Sequence, residues 1–187
     1  GLHRLGLAYL AAERPEAGIS ALQRALSKGA GPAAARDLAR AFLGRKLWAE
    51  ATTHLETVLR SDPGDAEALR LLGAAHYQLK RYRLAADTYR KAYRLQPQPR
   101  TLISAVIALQ GARAWAEALG IIEEIRPQAE RLPEIAFHEA VLKERLGRPK
   151  AAKAAYDAYL ALAAGHPDEA ARVSSAKKRL VELALDN

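Results

Sequence analysis

The chain has no cysteine and no methionine, two phenylalanines, two tryptophans and a single asparagine, Asn187, among 187 residues. Without cysteine there is no disulfide, no thiolate metal site and no thiol nucleophile, and the redox compartment is left open. β-branched residues are sparse and never alternate with period two for long, which excludes a sheet. No apolar run approaches the roughly 20 residues that cross a bilayer as a helix, so the sequence does not support direct membrane insertion. What is abundant is alanine and leucine, both strong helix formers, so an all-α fold is expected. The net charge of +8 and pI near 9.9 favour an acidic partner, nucleic acid or an anionic surface, against the plainer reading of a solvated, arginine-rich exterior. Gly1 already falls within a helical pattern, which points to a trimmed fragment, and the localisation stays open between cytoplasm and periplasm.

The stretch from Ala66 to Pro99 organises the rest. Leu69, Leu72, Gly73 and His76 recur at three and four residues and share one face of a first helix. Ala85, Tyr89 and Ala92 do the same on a second, and Pro97 follows where the hydrogen-bond ladder must stop. Gly73 and Ala85 are small enough for the two helices to approach closely. The pattern recurs: Pro63 to Pro97 and Ala51 to Ala85 are both 34 residues. These residues and this period resemble the tetratricopeptide repeat (TPR) family. The resemblance implies a right-handed α-solenoid of about five helix-turn-helix units with a C-terminal capping helix. It also implies a non-catalytic scaffold that holds a protein or peptide in a concave groove.

The expected units are residues 1–31 (truncated), 32–65, 66–99, 99–132 and 133–166, with the capping helix over 168–185, all in one array over 1–187. Asp65 stands where it can cap the helix that follows. Trp115-Ala116-Glu117-Ala118 echoes Trp48-Ala49-Glu50-Ala51 at an offset of 67 rather than 68. One residue is therefore missing, and the expected place is the inter-helix turn of the fourth unit. The fifth unit departs from the pattern with Glu139 in place of leucine and Lys143 in place of an aromatic. In the last helix Val173, Ala176, Leu180, Val181 and Ala184 form an apolar stripe interrupted by Lys177, Lys178 and Arg179.

No chemistry of catalysis emerges. The histidines, at 3, 54, 76, 138 and 166, form no metal-binding pair at helical spacing, and there is no phosphate loop. Catalytic, metal and cofactor sites are expected to be absent. The candidate site is the groove that the family resemblance assigns to the first helix of each unit. Its N-terminal part is expected to be basic, with Arg36, Arg40 and Arg70, joined by Arg4. Tyr77 and Arg100 follow, and then an apolar stretch of Ile103, Ile107, Phe137 and Val141. Arginine forks suit carboxylates and the apolar residues suit hydrophobic anchors, so Arg36→Glu with Arg70→Glu is expected to abolish partner binding without unfolding. The carboxylate clamp of the chaperone-binding subfamily needs asparagine, which the repeats lack. By resemblance, and with alanine, arginine and leucine usage typical of a GC-rich bacterial genome, the setting is a multiprotein assembly such as pilus, secretion or envelope polysaccharide machinery. Two alternatives remain. Lys80, Arg81, Arg83, Arg90, Lys91 and Arg94, interleaved with Tyr82, Tyr89 and Tyr93, could bind nucleic acid, though a solvated face is favoured. The fragment could also be a recruitment module of a larger enzyme.

Overall fold

The computed structural model describes residues 1–129 and 131–185, so the lone Asn187 lies outside the described residues. Among these the regular structure is helical: eleven α-helices and one 3₁₀ turn. The chain divides into two units, residues 1–97 and 98–187.

The first unit comprises α1 (Leu2–Ala11), α2 (Pro15–Ser27), α3 (Pro32–Gly44), α4 (Trp48–Ser61), α5 (Ala66–Gln78) and α6 (Tyr82–Leu95). Each helix packs on the next. Leu22, Leu38, Phe42 and Ala51 form one buried cluster, and Leu55, Val58, Ala68 and Leu72 belong to another. Each fully buried leucine contributes about 2 kcal/mol. The close approach expected at Gly73 is present: a β-carbon there would lie 2.9 Å from the Tyr89 ring. Gly6 and Gly18 face one another in the first pair in the same way, a β-carbon on either meeting the other's carbonyl oxygen at 3.1–3.2 Å.

The turn within each helix pair is closed by one left-handed residue: Glu13, Lys46, Lys80, Arg113 and Gly147. After α5, Lys80 N–H donates to the Tyr77 carbonyl and Arg81 N–H to that of His76, both at 2.9 Å, the double bond that ends a helix with a residue in this conformation. Glycine occupies this conformation without strain, whereas a side chain costs about 1 kcal/mol. Lys80→Gly is therefore expected to stabilise residues 1–97 by about 1 kcal/mol, and Gly147→Ala to destabilise the second unit by a similar amount. Urea midpoints at unchanged m-value measure both, and a loss at Lys80→Gly would contradict the argument.

These turns also relocate the missing residue. From the start of the first helix to the left-handed residue is 14 positions in all four later pairs: Pro32 to Lys46, Ala66 to Lys80, Pro99 to Arg113, Pro133 to Gly147. The inter-helix turn of the fourth unit is thus full length. The shortening lies between α6 and the next helix, where Gln96-Pro97-Gln98 does the work of the four residues Asp62–Asp65. The division between units falls at this short connection.

The second unit comprises α7 (Pro99–Gly111), α8 (Trp115–Ala129), α9 (Pro133–Arg145), α10 (Pro149–Ala163), the 3₁₀ turn Pro167–Glu169 and α11 (Ala170–Leu185). Proline opens α7, α9 and α10, where its missing N–H would have had no intrahelical partner. The end helix begins at Ala170, two residues later than expected, because Pro167–Glu169 forms the separate turn. Tyr159 donates to the buried Glu169 carboxylate at 2.9 Å, and Arg172 donates to its other oxygen at 2.6 Å. Arg179 grips Glu144 of α9 with two nitrogens, and Tyr156 donates to the same carboxylate at 3.0 Å. Ala176 and Leu183 complete the apolar cluster of Ala140, Tyr156 and Tyr159.

Candidate partner-binding face

In the first unit α1 also touches α3, and α3 touches α5, so the first helices of successive pairs lie side by side. Their side chains form a chain of alternating charge. His3 meets Asp37 at 2.8 Å, Arg40 donates to Asp37 and to Glu67 at 3.0 Å each, and Glu67 also pairs with Arg70. Asp37 and Arg40, like Glu67 and Arg70, are three residues apart, one helical turn, so each pair meets on a single face. Arg36 pairs with Asp65 at 2.9 Å, and the other oxygen of Asp65 accepts the Ala68 N–H at 2.9 Å as the expected helix cap.

Arg36, Arg40 and Arg70, expected to make the groove basic, are thus joined by three carboxylates, Asp65, Asp37 and Glu67. Asp37 escaped the sequence reading altogether. Its signal was its spacing of three from Arg40 and its 34-residue distance from His3. The pairs along the half-exposed Arg40 are each worth about 0–1 kcal/mol, so an incoming carboxylate can exchange into them. The expectation for Arg36→Glu needs correction. Asp65 is largely buried, and a second carboxylate beside it would disturb the start of α5. Arg4 is exposed. Tyr77 lies edge-on to Tyr82 at 5.5 Å, between α5 and α6.

In the second unit the foreseen residues scatter. Arg100 is exposed and 3.8 Å from Glu134. Ile103 is only 6% exposed, so it is a core residue rather than an open anchor. Ile107 is half-buried. Phe137 sets its edge against Tyr159 at 5.1 Å and Tyr156 at 6.3 Å. With Val141 it packs against the buried cluster that also holds Ala176 and Leu183 of α11, so this part of the apolar stretch serves the core of the second unit.

Of the tyrosines interleaved with the second basic surface, Tyr82 lies against Tyr77 and Tyr89 is engaged in the helix pair. Tyr89 packs on Gly73, and burial raises its hydroxyl to about 12. Among the described residues no group of three or more His, Asp or Glu could hold a metal ion, and no helix is long and apolar enough to cross a membrane.

The tetratricopeptide repeat family model matches residues 3–53 and 36–98. No curated protein matches the chain. Solved structures of similar fold include MamA, from residue 41 to its end, of Desulfovibrio magneticus RS-1. It has 17% identity over 89% of this chain and 95% of that one, with a TM-score of 0.80. TTC0263, a thermophilic TPR protein of Thermus thermophilus, has 23% identity over 94% and 96%, with a TM-score of 0.63. YrrB, described as a TPR protein with an unusual peptide-binding site, has 16% identity over 95% and 90%, with a TM-score of 0.79.

Proposed function

The chain belongs to the tetratricopeptide repeat family, and from that premise we propose that it is a non-catalytic scaffold holding a segment of a partner protein on the first-helix face of residues 1–97. The observation that carries this reading is the partly exposed ion-pair chain from His3 to Arg70, which crosses three helices. A rigid face with exchangeable charges recognises a segment whose acidic groups replace Asp37 and Glu67 at Arg40 and Arg70. Tyr77 flanks that face. Within the second unit, Arg100 is exposed and Ile107 half-buried, while Ile103, Phe137 and Val141 serve its packing. The peptide-binding site described for YrrB supports a peptide as the occupant. The alanine-, leucine- and arginine-rich composition fits a GC-rich bacterial genome, and resemblance to bacterial TPR proteins suggests a multiprotein assembly of the pilus, secretion or envelope polysaccharide kind.

The test is a pull-down from the source lysate with mass spectrometry, wild type against Arg40→Ala with Arg70→Ala. Both substitutions act on partly exposed pairs, so the stability of the variant is expected to stay within about 1 kcal/mol of wild type. A protein retained at least tenfold better by wild type supports the assignment, and equal retention overturns it. A bound nucleic acid would instead reveal itself by a steep loss of affinity with salt.

A further inference from the structure

A cavity of about 640 Å³ opens between α4 and α6, with α5 as its floor. Leu69, Leu72 and His76 of α5 are buried beneath it. Its α6 wall ends in Leu84 and Leu95, which are 48% and 50% exposed. Two leucines left half in water at the mouth of one cavity are apolar surface without a partner. Lys91 and Arg94, one helical turn apart, stand on the same wall and form no ion pair among the described residues. At the floor, the Nδ1 of the buried His76 has no hydrogen-bond partner among the described residues.

The second unit contains the equivalent cavity, 67 residues on, and it is finished differently. That cavity measures about 370 Å³ and is lined by Arg126, Glu139, Ala158, Ala161 and Leu162. They correspond to Leu59, Leu72, Lys91, Arg94 and Leu95. There the buried Glu139 pairs with the half-exposed Arg126, and the α10 wall carries Ala158 and Ala161 beside Leu162. In the first unit the interior is leucine with His76, the cations stand on the α6 wall, and the exposed Glu56 stands on the α4 wall. The repeat architecture therefore does not impose this arrangement.

We propose that the cavity of the first unit is a second docking site, for an acidic amphipathic helix of a partner protein. The guest's apolar face lies on Leu59, Leu84 and Leu95, and its carboxylates meet Lys91 and Arg94. From Leu84 to Leu95 the wall runs 11 residues, about 16 Å, which matches about three turns of a guest helix. With Lys91 and Arg94 set against the single carboxylate of Glu56, the lining favours acidic over basic guests. His76 offers one hydrogen bond to a polar side chain that reaches the floor.

The experiment is selection of a displayed library of random 14-residue peptides on the full chain, followed by fluorescence titration of the winning peptide. The expected winner has apolar residues at helical spacing with glutamate or aspartate beside them. It is expected to lose at least tenfold in affinity on Leu84→Ser, and again on Lys91→Glu with Arg94→Glu. Because all three residues are exposed, these variants should melt as wild type does. A basic winner, or no common pattern among the selected peptides, overturns the proposal. So does a winner that survives Leu84→Ser but is lost with Arg40→Ala and Arg70→Ala, which would assign it to the first-helix face. Concentration-dependent self-association abolished by Leu84→Ser would give the cavity to a second copy of this chain and also overturns it.

Discussion

Replacing Glu139 by alanine is expected to cost about 2–3 kcal/mol, whereas Glu139→Leu with Lys143→His is expected to cost less than about 1 kcal/mol or to stabilise. Glu139 is buried on α9, where it pairs with Arg126 of α8 and with Lys143 at 2.5 Å. Burial pushes its carboxyl up, but hydrogen bonds from Lys143 and Arg126, together with their charges, outweigh burial and hold it below its ordinary value. Alanine would leave the partly buried Lys143 without the carboxylate it pairs with and would open a space where the buried Glu139 side chain stood. The double variant instead restores the residues that stand 67 positions earlier, Leu72 and His76, which are packed in the first unit. Arg126 is about half exposed and can then turn to water. Urea midpoints at constant m-value distinguish the cases. A double variant as unstable as the alanine variant would show that the ion cluster is itself a net source of stability.

Glu139 and Lys143 also show what the sequence could and could not reveal. Period and spacing were enough for the helices, because Gly73, Ala85 and Tyr89 act through local steric fit that recurs every 34 residues. The cap at Asp65 was legible for the same reason. Glu139 registered only as a departure from pattern, since its partner Arg126 lies on a different helix and no local rule pairs residues 13 apart. The candidate face suffered from the same limit. Arg36, Arg40 and Arg70 were visible as charges, but the acids that neutralise them come partly from neighbouring helices: Asp65 answers Arg36, and Glu67 answers Arg40. Ile103 was assigned to the groove by counting along one helix, while its burial depends on helices packed beside it. The cavity lined by Leu84 and Leu95 leaves no mark in the sequence, because both positions lie outside the repeat pattern, where leucine reads as incidental.

The second large effect is expected in acid. His138 is buried on α9 with neither ring nitrogen hydrogen-bonded among the described residues. Burial, aided by the charge of Arg172, lowers its pKa from 6.5 to about 4. The folded form therefore keeps the ring neutral between pH 4 and 6.5, while the unfolded chain binds a proton there. Stability rises with pH wherever the unfolded state holds more protons, so the second unit is fully stabilised above pH 6.5 and weakens as the pH falls towards 4. The expected loss is about 2 kcal/mol by pH 5 and about 3 kcal/mol by pH 4. Glu139 adds to this only at lower pH, because its depressed carboxyl keeps its charge until the pH falls through its folded value. His76 and His54, lowered chiefly by burial, act with the same sign on the first unit. His138→Leu isolates the effect. It removes two unpaired buried polar atoms, so it is expected to raise stability at neutral pH by about 1 kcal/mol. Between about pH 7 and pH 5 its unfolding midpoint should fall less than that of wild type, by the equivalent of about 2 kcal/mol. Identical acid profiles for the two proteins would mean that His138 charges as readily in the folded chain as in the unfolded one, and that the ring is open to water.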